Sequence, residues 1–288
     1  MVGTSFQFKR RCIALGFFDG VHRGHRHLVR RVLELAEDRN AQSVLVTFTV
    51  HPLDVLCPEK APKLLTTNEE RARLLQETGV DDVVMIPFSR ELADMSAKDF
   101  MSQILQGELG VSTLVIGYDH HFGNAQSGHD YARYAEELGM EIVMASAVDG
   151  VSSSAIRTML LCGDVLGANN ALGYRYSLSG KVVCGHQLGR TIGYPTANIE
   201  VAPCKLLPKN GAYIVSVSTD GGSFPGMLNV GHGTVEVHLL DFSGDLYGQN
   251  IVVEFTGFLR DEMEFDSLEG LKAQLEKDEA EIRSRCGL

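Results

Sequence analysis

CIALGFFDGVHRGHRHLVRRVLELAEDRN, residues 12–40, changes its hydrophobic period part-way along. Cys12 to Phe18 reads as a strand, whereas Leu28, Val32 and Leu35 recur at the spacing of one helix face. A glycine-rich turn joins the two, and the strand-like SVLVTFT follows at residues 43–49. The same alternation repeats. NEERARLLQETG precedes DVVMIPF, SAKDFMSQILQGELG precedes STLVIGY, and GHDYARYAEELG precedes EIVMASA. Repeated βαβ units predict a doubly wound parallel sheet covered by helices on both faces, with ligands bound beyond the carboxyl ends of its strands.

After residue 160 the pattern changes. SSSAIRTMLLCGDVLGANNALG reads as two short helices, and five strand-like segments follow without helices between them: YSLSGKVVCG, GAYIVSVST, FPGMLNV, TVEVHLLDF and NIVVEFTGFL. These predict a small antiparallel β-barrel. SLEGLKAQLEKDEAEIRSR predicts a C-terminal helix that starts at Ser267 with Glu269 in its first turn. The expected domains are residues 1–165 and 172–288.

Composition narrows the function classes. With 288 residues, 44% of them hydrophobic, the chain can bury a substantial core. A formal net charge of −11 without a long basic cluster argues against a nucleic-acid partner and favours small-molecule chemistry. The apolar runs are far shorter than the ~20 residues that span a bilayer, and the first residues lack an apolar signal core. Six dispersed cysteines without a CxxC pair fit reduced thiols. These features predict a cytoplasmic protein without a membrane or nucleic-acid partner, and they leave self-association open.

The turn between the first strand and helix holds the first candidate site. Gly16 closes the strand, Gly20 permits a tight turn, and Gly24 precedes His25 at the helix start. Free N–H groups and the positive end of a helix dipole meet there, so phosphate is the fitting guest. His22 and His25, three residues apart, can add hydrogen bonds to phosphate oxygens. A zinc pair would need further ligands at metal spacing. A dinucleotide fingerprint fails because the glycines do not follow GxGxxG. A plain turn with surface histidines stays open on this stretch alone.

GHQLGRTIGYPTANIE, residues 185–200, holds the second candidate site. Gly185 and Gly193 admit close backbone approach, Pro195 restricts the chain, and Thr196 and Asn198 alternate beyond it. Hydroxyl and carboxamide oxygens suit Mg²⁺ carrying nucleotide phosphates. No P-loop lysine is present, and a glycine-rich hairpin with structural Thr and Asn stays open here.

Several motifs share one resemblance. GFFDGVHRGH is similar to the HxGH signature of bacterial bifunctional riboflavin kinase/FAD synthetases. TFTVHP at 47–52, GYDHHFG at 117–123 and VSSSAIR at 151–157 resemble that family's TFxPHP, GxDFxFG and ISSTxIR motifs. Further on, GYPTAN resembles the GxPTAN signature of riboflavin kinases, and EVHLLDFSGDLYG with FLRDEMEFDS continues the likeness.

The resemblance implies a nucleotidylyltransferase-like first domain that joins FMN to ATP and a riboflavin kinase barrel, with Mg²⁺ in both reactions. Riboflavin, FMN, FAD and ATP would be the bound small molecules. It implies that His22 and His25 contact the ATP phosphates. Gly16, Phe18, Asp19, Gly20, Gly24, Asp119, Ser153, Ser154 and Arg157 would complete that ATP site. In the second domain it implies that Glu236 is the general base for the ribityl hydroxyl. Gly185, Gly193, Pro195, Thr196, Asn198 and Arg260 would bind ATP or flavin, and Thr196 and Asn198 would ligate the metal.

Three departures from the family's motifs stand out. Val50 replaces a proline, His120 and His121 stand where the family usually has Phe and Arg, and NVGHGTVEVH omits roughly ten residues before the Glu236 strand. They motivate two alternatives: an adenylyltransferase whose barrel only captures FMN, and a non-catalytic flavin-binding regulator.

Overall fold

The computed structural model describes residues 10–117, 122–123, 130–146, 150–185, 188–231 and 233–288. The chain divides into two compact units, one running to Val151 and one from Ser152 to Leu288.

The first unit is the expected doubly wound sheet. Its strands are β1 (Arg11–Leu15), β2 (Gln42–Phe48), β3 (Asp82–Ile86), β4 (Val111–Gly117) and β5 (Glu141–Ala145), in the order β3-β2-β1-β4-β5. Every described pairing in it is parallel. The order reverses between β1 and β4, which opens the crevice where such sheets bind ligands. Among its described residues are the α-helices α1 (Arg23–Asp38), α2 (Pro52–Leu56), α3 (Asn68–Gln76), α4 (Arg90–Asp94), α5 (Ala97–Asp99) and α6 (Tyr131–Leu138). After α5 the chain continues as a π-helix, Phe100–Glu108. Near-continuous apolar runs on β1 and β2, buried on both faces, and the 3.6-residue period on α1 supply the core: Ile13, Ala14, Leu15, Val44, Leu45 and Val46 are buried, and Val29, Val32, Leu35 and Ala36 form the buried face of α1.

The second unit begins with α7 (Ser153–Leu161) and α8 (Val165–Leu172). The Lys209 amide donates to the Leu160 carbonyl, so α7 is tied to the barrel's own connections. Six strands close the barrel: β6 (Ser177–Val183), β7 (Ala197–Val201), β8 (Gly211–Thr219), β9 (Gly222–Gly231), β10 (Thr234–Leu239) and β11 (Asn250–Asp261). They run antiparallel in the cyclic order β10-β7-β6-β11-β8-β9. The sequence reading misses β7, because its five residues follow a Gly-Pro-rich turn and are too few to show a period. A four-residue helix, α9 (Leu188–Thr191), precedes it, and α10 (Leu268–Cys286) closes the chain. Ser267 caps α10 by accepting from the Gly270 amide, where the sequence places the start.

The shortened connection before Glu236 is a two-residue hairpin. Gly231 of β9 pairs directly with Thr234 of β10, and Gly233 takes a left-handed φ of 81°. The Thr234 hydroxyl donates to the Gly231 carbonyl and locks the turn at 2.7 Å. Continuous register through this hairpin decides what Glu236 faces.

Candidate functional sites

The first site grows from the β1–α1 turn. Phe18 and Val21 both adopt positive φ, 55° and 38°, alongside Gly20 at 78°. A β-branched residue in that region is under strain, and strain of this kind persists only where the surroundings impose it. The surroundings here are a carboxylate and a threonine. Buried Asp19 accepts from the amides of Leu65 and Thr66 at 3.0 Å and from the Thr66 hydroxyl at 3.1 Å. The Gly20 amide donates to the same hydroxyl. Asp19 therefore pulls the turn onto the 65–66 segment, and its described contacts are framework contacts.

The forced bend splits the phenylalanine pair. Phe17 lines a cavity, while buried Phe18 turns its edge to the His25 ring at 5.3 Å. Gly16 has to stay small, since a Cβ there would lie 3.2 Å from the Phe18 ring.

His22 caps α1: its Nδ1 accepts from the His25 amide at 3.3 Å. An accepting Nδ1 carries no proton, so Nε2 holds it in the neutral ring and is a donor. The two imidazoles stack at 3.6 Å with 15° between their planes. Gly24 sits beneath them, where a Cβ would press on His22 at 3.1 Å. Burial first, and then His22 beside it, hold His25 well below the ordinary histidine pKa. The His25 Nδ1 is buried without a hydrogen-bond partner among the described residues. Buried polar atoms are nearly always hydrogen-bonded, so this one leaves room for a water, an ion or a ligand.

Around Phe17 the carboxyl ends of β1, β2 and β3 enclose a cavity of about 360 Å³. Phe17, Phe48, Phe88, Phe100 and Phe122 line it with Leu56. Tyr131 fastens one wall: its hydroxyl accepts from the Phe122 amide at 2.8 Å and donates to the Phe122 carbonyl at 2.9 Å. Sequence reasoning misses this cavity, because its phenylalanines are scattered over about a hundred residues and only strand-end position relates them.

Ser153 and Ser154 open α7, but the capping hydroxyl belongs to Ser152, which accepts from the Ala155 amide. The cap leaves the Ser153 and Ser154 hydroxyls and Arg157 in the helix's first turns. Asp119, His120 and His121 lie outside the described residues.

The second site is set by barrel register. Glu236 on β10 stands directly opposite Asn198 on β7 and opposite Asn229 on β9. Directly paired residues share a sheet face. Val235, Val237 and Leu239 fill the barrel interior, so Glu236 and His238 face outward. Three adjacent strands thus carry a carboxylate between two carboxamides on one outer face. Gly185 packs against Asn198: a Cβ on it would lie 2.0 Å from the amide nitrogen and would displace that side chain. Gly193 turns the preceding loop at a φ of 89°. Thr196 and Arg190 line a small cavity, of about 100 Å³, with Val237, Leu239 and Tyr247.

The donor chemistry of this face fits a hard divalent cation. Thr196, Asn198 and Glu236 offer hydroxyl, amide and carboxylate oxygens. Among the described residues no group of three or more His, Cys, Asp and Glu is arranged to hold a metal.

Arg260 is bonded to the C-terminal helix. Its Nε and NH2 grip the buried Asp278 of α10 at 2.8–3.2 Å, and Gln274 donates to the same carboxylate at 2.8 Å. Beside this clamp the Tyr194 hydroxyl donates to Glu279 at 2.9 Å, and burial with that carboxylate pushes the phenol up to about 12. Arg283 bridges Glu279 to Asp241. The residue before Pro195 is thereby tied to the C-terminal helix. The site residues that sequence reasoning misses are Asn229 and His238, each visible only after strand pairing is known.

Comparison with known proteins identifies both halves. A model of FAD synthetase matches residues 6–158, and a model of riboflavin kinase matches residues 172–286. The chain belongs to the bifunctional riboflavin kinase/FMN adenylyltransferase family. The relative from Listeria monocytogenes is 36% identical over 94% of this chain and 91% of its own length. That from Escherichia coli K12 is 37% identical over 96% and 93%. A solved structure titled a macrolide-efflux protein, from Streptococcus pneumoniae, superposes with a TM-score of 0.86 at 30% identity, covering 95% of this chain and 94% of that one. The family membership favours the two-activity reading over a lone adenylyltransferase or a regulator. Among the described residues no helix is long and apolar enough to cross a membrane.

Proposed function

We propose that residues 1–165 carry adenylyl transfer and residues 172–288 carry phosphoryl transfer, each at the site built above. The chain is a riboflavin kinase and FMN adenylyltransferase: riboflavin and ATP give FMN and ADP, and FMN and ATP give FAD and pyrophosphate.

In the kinase reaction Glu236 takes the proton from the ribityl 5′-hydroxyl as its oxygen bonds to the γ-phosphorus and the bond to the ADP oxygen breaks. Asn198 and Asn229, on either side, orient that carboxylate. Thr196 and Asn198 would hold Mg²⁺, which when bound with ATP supplies charge compensation on the phosphates. Arg260 acts at one remove, through Asp278, by holding β11 against α10. The observation that carries this assignment is the direct pairing of Glu236 with Asn198.

In the adenylyl reaction an FMN phosphate oxygen bonds to the α-phosphorus of ATP and pyrophosphate leaves. No protein nucleophile is needed, so positioning and hydrogen bonds to the developing charge do the work. The N–H groups at the start of α1, the Nε2–H of His22 and the ring of His25 surround that charge. The phenylalanine-lined cavity suits the flat, apolar face of an isoalloxazine. Phe17 and Phe18, adjacent in sequence and opposite in direction, then join flavin to phosphate.

One incubation tests both halves. Purified protein with riboflavin, ATP and Mg²⁺ is expected to yield FMN and then FAD on chromatographic separation. Protein that forms FMN but never converts supplied FMN to FAD would remove the first-site assignment alone.

A further inference from the structure

His238 is the outward neighbour of Glu236 on β10, two residues along. Its Nδ1 lies 2.8 Å from the Pro195 carbonyl oxygen. A carbonyl can only accept, so Nδ1 carries the proton and donates. The edge of the His238 ring meets Tyr194 at a centroid distance of 5.2 Å. Tyr194 is itself held by Glu279.

The position of this bond in the barrel gives it meaning. The β7–β10 ladder consists of two residue pairs, Glu236 with Asn198 and Val237 with Ala197. One step further the partners would be His238 and Thr196, and the ladder has ended. Backbone pairing therefore stops at the point where Thr196 has to be held. The imidazole takes over by binding the carbonyl of the residue immediately before Thr196. Pro195 has no N–H, so its carbonyl is the one backbone group through which it can be anchored.

We infer that His238 is a positioning residue for phosphoryl transfer: it anchors Pro195 and so sets the Thr196 and Asn198 oxygens against Glu236. The inference rests on the assignment of the kinase site to Glu236 and Asn198. Removing the anchor leaves the general base intact and loosens the groups that orient the nucleotide. Displacements of about 1 Å at such groups can cost ~10²-fold in rate.

Three variants of the full-length protein, with FMN formation from riboflavin and FAD formation from supplied FMN measured separately, test this. His238→Ala is expected to lower kcat/KM for ATP in the kinase reaction by at least about tenfold. FAD formation should stay at the wild-type rate, and an unchanged circular dichroism spectrum with an unchanged thermal midpoint for loss of FMN formation reports an intact barrel. An asparagine can place its amide N–H where Nδ1 stood, whereas a glutamine reaches to the position of Nε2. His238→Asn should therefore recover most of the loss and His238→Gln should not. Unchanged kinase kinetics in His238→Ala, or equal recovery by Asn and Gln, would overturn the inference. Glu236→Gln separates the two levels: if it retains FMN formation, the site assignment itself is wrong, and if it abolishes FMN formation while His238→Ala does not reduce it, only the anchor is wrong.

Discussion

The two proposed sites would handle phosphates of the same co-substrate with opposite means. The β1–α1 turn offers amides, a helix N-terminus and two stacked imidazoles, one of them well below its ordinary pKa through burial. Its chemistry is hydrogen-bond donation to a charge that the ligands bring. The outer face of β9, β10 and β7 offers acceptors, a carboxylate between two carboxamides, and suits a site where a cation comes with the nucleotide. The first is local, with its histidines three residues apart. The second is assembled across 38 residues between Asn198 and Glu236, by barrel closure alone. Local sites tolerate changes in the rest of the domain, whereas a site made by register fails with the register.

The sharpest way to break this comparison is to remove one means at a time. Glu236→Gln is expected to lower FMN formation by ~10²–10⁴-fold, the range for loss of a general base, with FAD formation from supplied FMN retained on chromatographic assay. His25→Ala should do the reverse, with a loss of ~10²–10³-fold in FAD formation. If either variant lowers both activities equally, the sites are not independent. Asp278→Ala strands the Arg260 guanidinium against α10, and breaking so buried a pair costs about 3 kcal/mol. Thermal inactivation should then strike FMN formation at a lower temperature than FAD formation. Gly185→Ala drives a methyl group into Asn198, and overpacking of this kind costs about 1–3 kcal/mol. The kinase KM for ATP should rise while adenylyl transfer stays unchanged.

The smallest effect is electrostatic. His25 binds protons more weakly folded than unfolded, so the unfolded chain takes up protons first as pH falls below about 6.5. Its contribution to stability is complete above that pH and is lost on acidification, by at most about 1.4 kcal/mol per pH unit. Thermal midpoints at pH 7.5 and 5.5 should fall less steeply in His25→Asn than in wild type.

Legibility followed the same division. The parallel sheet, the barrel and the Ser267 cap could be read because period and capping chemistry are local signals, and each helix returns the chain to a strand within a short distance. The strand, glycine turn and helix start that place His22 and His25 together were readable for the same reason. The kinase face was not readable from residue spacing. Glu236 alternates with valines in a way that any half-buried strand would show, and Asn198 sits on a strand too short to be recognised. Only the resemblance to riboflavin kinases singled out Glu236, whereas Asn198 drew notice with Thr196 as a hard oxygen donor in a glycine-rich stretch. The phenylalanine cavity and the Tyr131 clamp had no local signature. Arg260 shows the converse: a basic residue in a matching motif reads as a ligand contact, and packing against Asp278 gives it a framework partner that spacing could not reveal.

The two-pair seam between β7 and β10 has a consequence for motion. Every other seam of the barrel is longer, from the four pairs of β6 with β7 upward, so the barrel's weakest closure coincides with Glu236 and Asn198. Opening free energies follow local hydrogen bonding and packing, and this seam belongs at the low end of the barrel's range. Amide hydrogen exchange should therefore be fastest where the chemistry is, and nucleotide binding across the seam should slow it more than anywhere else in the barrel. Substrate would act there as the missing staves of the cask, completing a wall that the protein leaves partly unlatched.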